Sequence, residues 1–299
     1  MKTLIILTRR NVKMFFNEKG LFFTSLITPA ILLILYATFL GDVYKDAFLL
    51  SLGNFTLPER VINGYVAAQL MSSILAVSCV TVSFSSNMLM VQDKANGTVK
   101  DMLISPLKQS TLSLSYYFAT LFSTLMVCIF AAAICFAYCA VAGWYMSFAD
   151  VIFIIFDVVL AVMFGTALSS VVNFFLSSSG QISAVGTLVS STYGFVCGAY
   201  MPISQFSEGL QKVISFLPGT YVTSLFRNHA MSGVIKQMEL NNIPHEIVNA
   251  LRDAMDCNIY FFGNNVGIGV MYAIVFVTVA ILITIYCLEN VLKGKKAKR

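Results

Sequence analysis

The run TLSLSYYFATLFSTLMVCIFAAAICFAYCAV, from Thr111 to Val141, contains no Asp, Glu, Lys or Arg. As a helix rising about 1.5 Å per residue it outreaches the roughly 30 Å hydrocarbon core of a bilayer, which about 20 apolar residues cross. Its side chains do not alternate as barrel strands do, and in lipid only helices and closed barrels pair all their backbone groups. It reads as a membrane-spanning helix. Similar runs at 21–40, 61–91, 150–176, 181–200 and 266–288 bring the expected number of spans to six. Composition points the same way: the 299 residues are 58% hydrophobic and 11% charged, with a mean hydropathy of +0.82. A soluble domain carries about 25% charged residues, so this chain cannot cover a water-facing surface. The expected fold class is an all-α polytopic membrane protein, one domain over 1–299.

Six spans place both termini on one side, and Lys and Arg choose the side. Thirteen of the nineteen lie at the N-terminus (Lys2, Arg9, Arg10, Lys13, Lys19), in the second loop (Lys94, Lys100, Lys108) and in the tail over 289–299 (Lys293, Lys295, Lys296, Lys298, Arg299). That face is expected to be cytoplasmic, in the plasma membrane. Beside a span, the tail reads as a topology anchor attracting anionic lipid rather than a nucleic-acid patch. The stretch Leu21–Leu40 is longer than a signal-peptide core and meets no small-residue cleavage site before Asp42. It is expected to end there as a retained span, kinked at Pro29.

Residues 1–19 form an amphipathic pattern. Leu4, Ile5, Thr8, Val12, Phe15 and Phe16 share one helical face, and Lys2, Arg9, Arg10 and Lys13 share the other. Such a helix lies in the headgroup plane, as an anchor, as a lever to a cytoplasmic partner, or as both. Residues 92–110 follow the second span. Gly97 breaks the chain, Val99, Met102 and Leu103 alternate with Lys100 and Asp101, and Pro106 stops the segment. A short amphipathic helix of this kind either docks in a partner's groove or rests on the headgroups.

Polar residues inside the spans narrow the options. The second span holds Gln69, Ser72, Ser73, Ser78, Thr81, Ser83, Ser85, Ser86 and Asn87, so part of it faces protein or a hydrated cavity, unless the hydroxyls bond their own helix carbonyls. In the fifth span Ser183, Thr187, Ser191, Gly194 and Gly198 fall on one face, suited to close packing, a subunit interface or a pathway wall. Asp157 is the only acid in the interior of a predicted span, Asp150 standing at its first position. Two turns from the outer end, it is expected to reach the headgroups rather than form a proton or ion site. Between the last two spans, Phe206, Leu210, Val213, Ile214 and Leu217 precede Pro218-Gly219, and Tyr221, Val222, Leu225 and Phe226 follow. Two short helices, each too short to cross, are expected over 202–233 as an outer re-entrant hairpin or a surface pair.

Enzyme chemistry finds no foothold. The chain has no GxxxxGK[ST] phosphate loop, no nucleophile elbow and no HExxH. Its histidines, His229 and His245, have no ligand set nearby in sequence, and six of its seven cysteines lie in apolar runs as small hydrophobes. Cys257 stands alone in a polar loop.

Three stretches resemble the ABC-2 family of exporter permeases, in particular its daunorubicin-exporter-like branch. Asn96-Gly97-Thr98-Val99-Lys100-Asp101-Met102-Leu103-Ile104-Ser105-Pro106-Leu107 is similar to the family's ATPase-coupling segment, with Asn96 where an acid is usual. Gly198-Ala199-Tyr200-Met201-Pro202-Ile203-Ser204-Gln205-Phe206 is similar to its lead into an outer hairpin. Leu217-Pro218-Gly219-Thr220-Tyr221 with Arg227 and Gly233 is similar to the hairpin's return. The resemblance implies a transport subunit without its own ATPase. Two permeases, copies or close homologues, would work with two ATPase subunits that bind the ATP and Mg, and this chain would hold no cofactor or metal. Coupling would fall to Asp93, Gly97, Thr98, Lys100, Asp101, Leu103 and Pro106 with Arg9 and Arg10. Gln69, Ser72, Ser183, Thr187, Ser191, Gly194 and Gly198 would line a pathway or interface, and Pro202, Phe206, Pro218, Tyr221 and Arg227 would shape the outer hairpin. The cargo would be amphipathic or lipid-like, such as a drug or antimicrobial peptide. Two other classes compete: an ion-gradient-driven secondary transporter, which should show inverted repeats and buried charges, and a toxin-binding immunity or scaffold protein.

Overall fold

The computed structural model describes residues 1–296 except Asn54 and Pro106, and within them not the side chains of Leu21, Thr24, Ala37, Ser179 and 293–296. The described chain is almost wholly helical. It runs α1 (Lys2–Asn17), α2 (Lys19–Leu35), α3 (Gly41–Leu52), α4 (Glu59–Ala95), α5 (Thr98–Ile104), α6 (Gln109–Ala142), α7 (Phe148–Phe174), α8 (Ser179–Val196), α9 (Glu208–Ile214), α10 (Pro218–Leu240), α11 (His245–Ala254) and α12 (Ile268–Lys296). Between α11 and α12, β1 (Ile259–Phe261) pairs antiparallel with β2 (Asn264–Val266). Phe262 and Gly263 both have positive φ at the turn, the conformation that suits the twist of a tight hairpin.

Five helical runs among the described residues are long and apolar enough to cross a membrane: Ser25–Leu52, Glu59–Ala95, Gln109–Ala142, Phe148–Phe174 and Ile268–Leu292. Four match the predicted spans closely. The first does not stop before Asp42. A π-helical turn over Tyr36–Leu40, in which the Gly41 N–H donates to the Tyr36 carbonyl, carries α2 straight into α3. A Cβ on residue 41 would sit 2.9 Å from that carbonyl oxygen, so glycine permits the turn. The stretch predicted to span at 181–200 is the 18-residue α8, which lies outside the set of five. Its Ser, Thr, Gly and Gln residues dilute its hydropathy, and the chain leaves the helix at Cys197.

The outer hairpin also differs from expectation. Its first arm, α9, has seven residues, but its second, α10, has 23 and is buried along most of its length. The polar residues Arg227, Asn228 and His229 break its apolar pattern in the sequence, yet all three are buried against partners.

α4 is the central element: 37 residues, about 55 Å long at 1.5 Å per residue, and buried almost throughout. α2, α6, α7, α8 and α10 all pack on it. Its surface is built from Ala67, Ala68, Ser72, Ser73, Ala76 and Ser83, small side chains that let neighbouring backbones approach closely. Gly165 of α7 meets it so tightly that a Cβ would lie 2.8 Å from the Cys79 carbonyl oxygen and 2.8 Å from Ser83 Oγ. Gly233 of α10 is tighter still, with the Tyr145 carbonyl where a Cβ would stand.

Overpacked cores lose about 1–3 kcal/mol. Gly165→Val and Gly233→Val are therefore expected to lower the melting temperature of the detergent-purified protein by several degrees. Gly269→Ala, which points into open space, should leave it unchanged.

Candidate functional site

The N-terminal helix and the segment after α4 come together at one end of the bundle. α1 turns Asn11 and Phe15 inward, and Asn11 Nδ2 donates to Ser115 Oγ of α6 at 3.3 Å. Arg10 does not join the exposed basic face as the helical wheel suggested. Its Nη1 donates to Asp93 Oδ2 at 2.8 Å, and Tyr116 Oη donates to the same oxygen at 2.5 Å. One carboxylate at the end of α4 thus ties α1 and α6 together. The next residue, Lys94, donates to the carbonyls of Asn173 and Phe174 at 3.1 and 3.0 Å, which fastens α4 to the end of α7. A cation is well placed at a helix C-terminus, where carbonyls lack intrahelical donors.

Gly97 then turns the chain at φ +82° and opens α5, a left-handed conformation that side chains with a Cβ resist. Val99, Met102 and Leu103 pack on the core, and Thr98 is half-buried. Lys100, Asp101 and Ile104 face outward, with Arg9 and Lys13 of α1 also exposed. Pro106 lies outside the described residues. The expected coupling residues are therefore divided: Asp93 and Arg10 hold the joint, Leu103 anchors α5, Lys100 and Asp101 form an open polar rim beside apolar Ile104, and Arg9 is exposed on α1.

A second joint lies at the opposite end. Arg227 of α10 is fully buried; its Nη1 donates to Asp256 Oδ2 at 2.8 Å and its Nη2 to the Gly198 carbonyl at 2.6 Å. Asp256 also accepts from the backbone N–H of Ile203 at 2.7 Å. Burial holds the Asp256 carboxyl above its usual range despite the opposing pull of Arg227. Gly198 adopts φ +75° to present its carbonyl, and Tyr36 Oη donates to the neighbouring Ala199 carbonyl at 3.2 Å. Around it, Pro218 starts α10, Tyr221 Oη donates to the Ser215 carbonyl at 2.6 Å, and Pro202 and half-buried Phe206 flank the turn before α9. The residues that carry the family resemblance here thus meet in one buried assembly. Cys257 beside it lies in the loop between α11 and β1 yet is buried, and burial pushes its thiol up to about 12. It is a packing group.

The proposed pathway residues do not form one surface. Gln69 and Ser72 are enclosed within the chain; Ser72 Oγ donates to the Gln69 carbonyl at 2.8 Å. Ser183, Thr187 and Ser191 lie on the exposed side of α8, where Thr187 and Ser191 donate to carbonyls one turn earlier. Gly194 and Gly198 are buried, the former against the Tyr200 ring.

Asp157 overturns its sequence reading. It is 2% exposed, enclosed by the protein itself. His229 Nδ1 is 2.6 Å from its Oδ2, and Tyr272 Oη donates to its Oδ1 at 2.5 Å. Nothing in the sequence links residues 157, 229 and 272; only helix packing does.

Five membrane-length helices around a buried, small-residue core define a multi-pass helical membrane protein. The family description "ABC-2 family transporter protein" matches residues 50–286, most of the chain, so the protein belongs to that family: it is an ABC-transporter membrane component, a class that works with a separate ABC ATPase. No curated protein matches it.

Removing one partner of a buried ion pair costs about 3–5 kcal/mol, because the other charge is stranded. Asp256→Ala is expected to abolish or sharply reduce the yield of monodisperse protein in detergent. Asp101→Ala on the exposed rim should change melting by no more than surface substitutions usually do, about 0.5 kcal/mol.

Proposed function

We propose that this chain is the permease subunit of an ATP-driven exporter that moves an amphipathic or lipid-like substrate outward. The observation that supports this best is the joint at α1, α4 and α5. An exposed rim of charged residues beside Ile104 is fixed to a 37-residue helix that runs through the whole core. A push on α1 or α5 is thereby delivered through Arg10, Asp93 and Leu103 to α4, on which five helices pack. The branch of the family is the daunorubicin-exporter-like one, on the resemblance of the three motif stretches.

In this reading α8 is the sixth span, about 27 Å at 1.5 Å per residue, enough to cross a locally thinned bilayer. Both termini are cytoplasmic in the plasma membrane, as the bias of Lys and Arg toward that face implies. Two permeases assemble with two ATPase subunits, which bind the ATP and Mg; the chain itself carries no cofactor. The exposed hydroxyl stripe of Ser183, Thr187 and Ser191 lies toward the second permease and the pathway between them. Residues 202–233 form the outer hairpin. ATP binding favours one arrangement of the pathway over another through unequal affinity for the two.

The test is reconstitution with the cognate ATPase in liposomes. Gly97→Pro combined with Leu103→Asp destroys the left-handed turn and the apolar anchor of α5. The variant should insert normally but lose substrate-stimulated ATP hydrolysis by about tenfold or more, within the usual range of coupling free energies. Unaltered ATP-dependent export by this variant would refute the coupling assignment.

A further inference from the structure

The Asp157 cluster serves neither joint described above. It connects three helices: Asp157 from α7, His229 from α10 and Tyr272 from α12. The imidazole is stacked between rings, with Phe153 at 5.0 Å and Tyr272 at 6.3 Å between centroids. Tyr272 Oη occupies Oδ1 of the carboxylate, so Oδ2 and His229 Nδ1 share the remaining hydrogen-bond line.

Charge decides what that line must hold. A lone carboxylate in a low-dielectric interior is strongly disfavoured. With a neutral imidazole the cluster carries one negative charge; with one further proton shared between ring and carboxylate it carries none. The ring is also the part of the cluster that reaches a cavity of about 290 Å³, lined in addition by Asn228, Lys236 and Glu239 of α10, Arg252 of α11 and Ile268 of α12. Arg252 Nη2 donates to Asn228 Oδ1 at 3.2 Å, one residue from the ring. The charged or titratable groups around His229 are therefore Asp157, Tyr272 and Arg252 from the packed helices and Lys236 and Glu239 from its own.

We propose that Asp157 and His229 form a proton-binding site, filled from this cavity, whose occupancy sets how α10 seats against α7 and α12. With the proton bound, the junction is neutral and closed. Its loss leaves an uncompensated charge at the contact of three helices, with Arg252 and Lys236 lining the adjoining cavity, and loosens α10. The proton is exchanged with solvent, so no further reactant is needed.

The chain has only two histidines, so His245→Gln leaves His229 as the sole imidazole. In full-length protein carrying that change and labelled with 15N-histidine, the ring resonances should titrate. Asp157→Asn keeps the shape and a hydrogen bond to Tyr272, and should lower the proton affinity of the ring by about tenfold or more, as loss of an adjacent opposite charge does. Reconstituted with its ATPase, the protein should show a limb in the pH profile of transport at the pH where the ring titrates. Asp157→Asn should move that limb by the same amount, while His229→Gln should remove it. A ring whose titration is unchanged by Asp157→Asn would overturn the site. A shifted titration beside an unshifted transport limb would overturn its role in seating α10. The resonance measurement requires no transport, so failure of the exporter reading would be visible separately.

Discussion

Close approach of backbones to α4 is the constraint on which this fold depends. Within lipid, helices gain little from hydrophobic exclusion of one another, so contact area and hydrogen bonds must hold them. α4 supplies the area by presenting Ala, Ser and Thr to its neighbours, and α7 answers with Gly165, whose Cα faces the α4 backbone with no room for a Cβ. The Gln69 amide and the Ser78 and Ser86 hydroxyls are buried without a hydrogen-bond partner among the described residues. Ser72, Thr81 and Ser83 donate to the carbonyls of Gln69, Val77 and Cys79 on their own helix. A helix that reads as polar in sequence is thus the most deeply buried of the membrane-length helices among the described residues.

Polar joints then fix the register of helices that smooth contacts alone would let slide. Arg10 with Asp93 at one end and Arg227 with Asp256 at the other each bind elements far apart in sequence. The two differ in burial. Arg227 is wholly enclosed and has both a carboxylate and a carbonyl, so its side must move as one body. Arg10 is partly exposed, and its joint borders the open rim of α5. The pair at the Arg227 end is thus the more deeply enclosed of the two, and the pair at the Arg10 end lies nearer the surface.

Hydropathy alone revealed most of the membrane helices, because crossing lipid requires a length and composition that little else imitates. It failed where burial was achieved by pairing. α10 contains Arg227, Asn228 and His229 in succession, which reads as a surface segment; the partners that bury them, Asp256, Cys257 and Asp157, lie 29 to 72 residues away. The first span was cut short at Asp42 because a charge normally marks a membrane boundary, whereas the helix geometry continues through the π-turn. Arg10 was assigned to the solvent face by its chemistry, and its true direction depended on Asp93 and Tyr116. Gly97 reads as a chain breaker and takes positive φ, whereas Gly198, expected on the packing face of the fifth span, lies beyond the end of α8 and also takes positive φ.

The same logic separates the two sets of hydroxyls once grouped as pathway candidates. Gln69 and Ser72 are enclosed by a single chain, so substrate reaching them would have to part α4 from its neighbours. The stripe on α8 bears no such cost. Thr187 and Ser191 have bonded their own carbonyls and stay exposed, and no large side chain stands over them. A surface of that kind admits another helix or a sliding amphipathic molecule with little rearrangement, whereas the interior of α4 admits neither without unfolding the bundle.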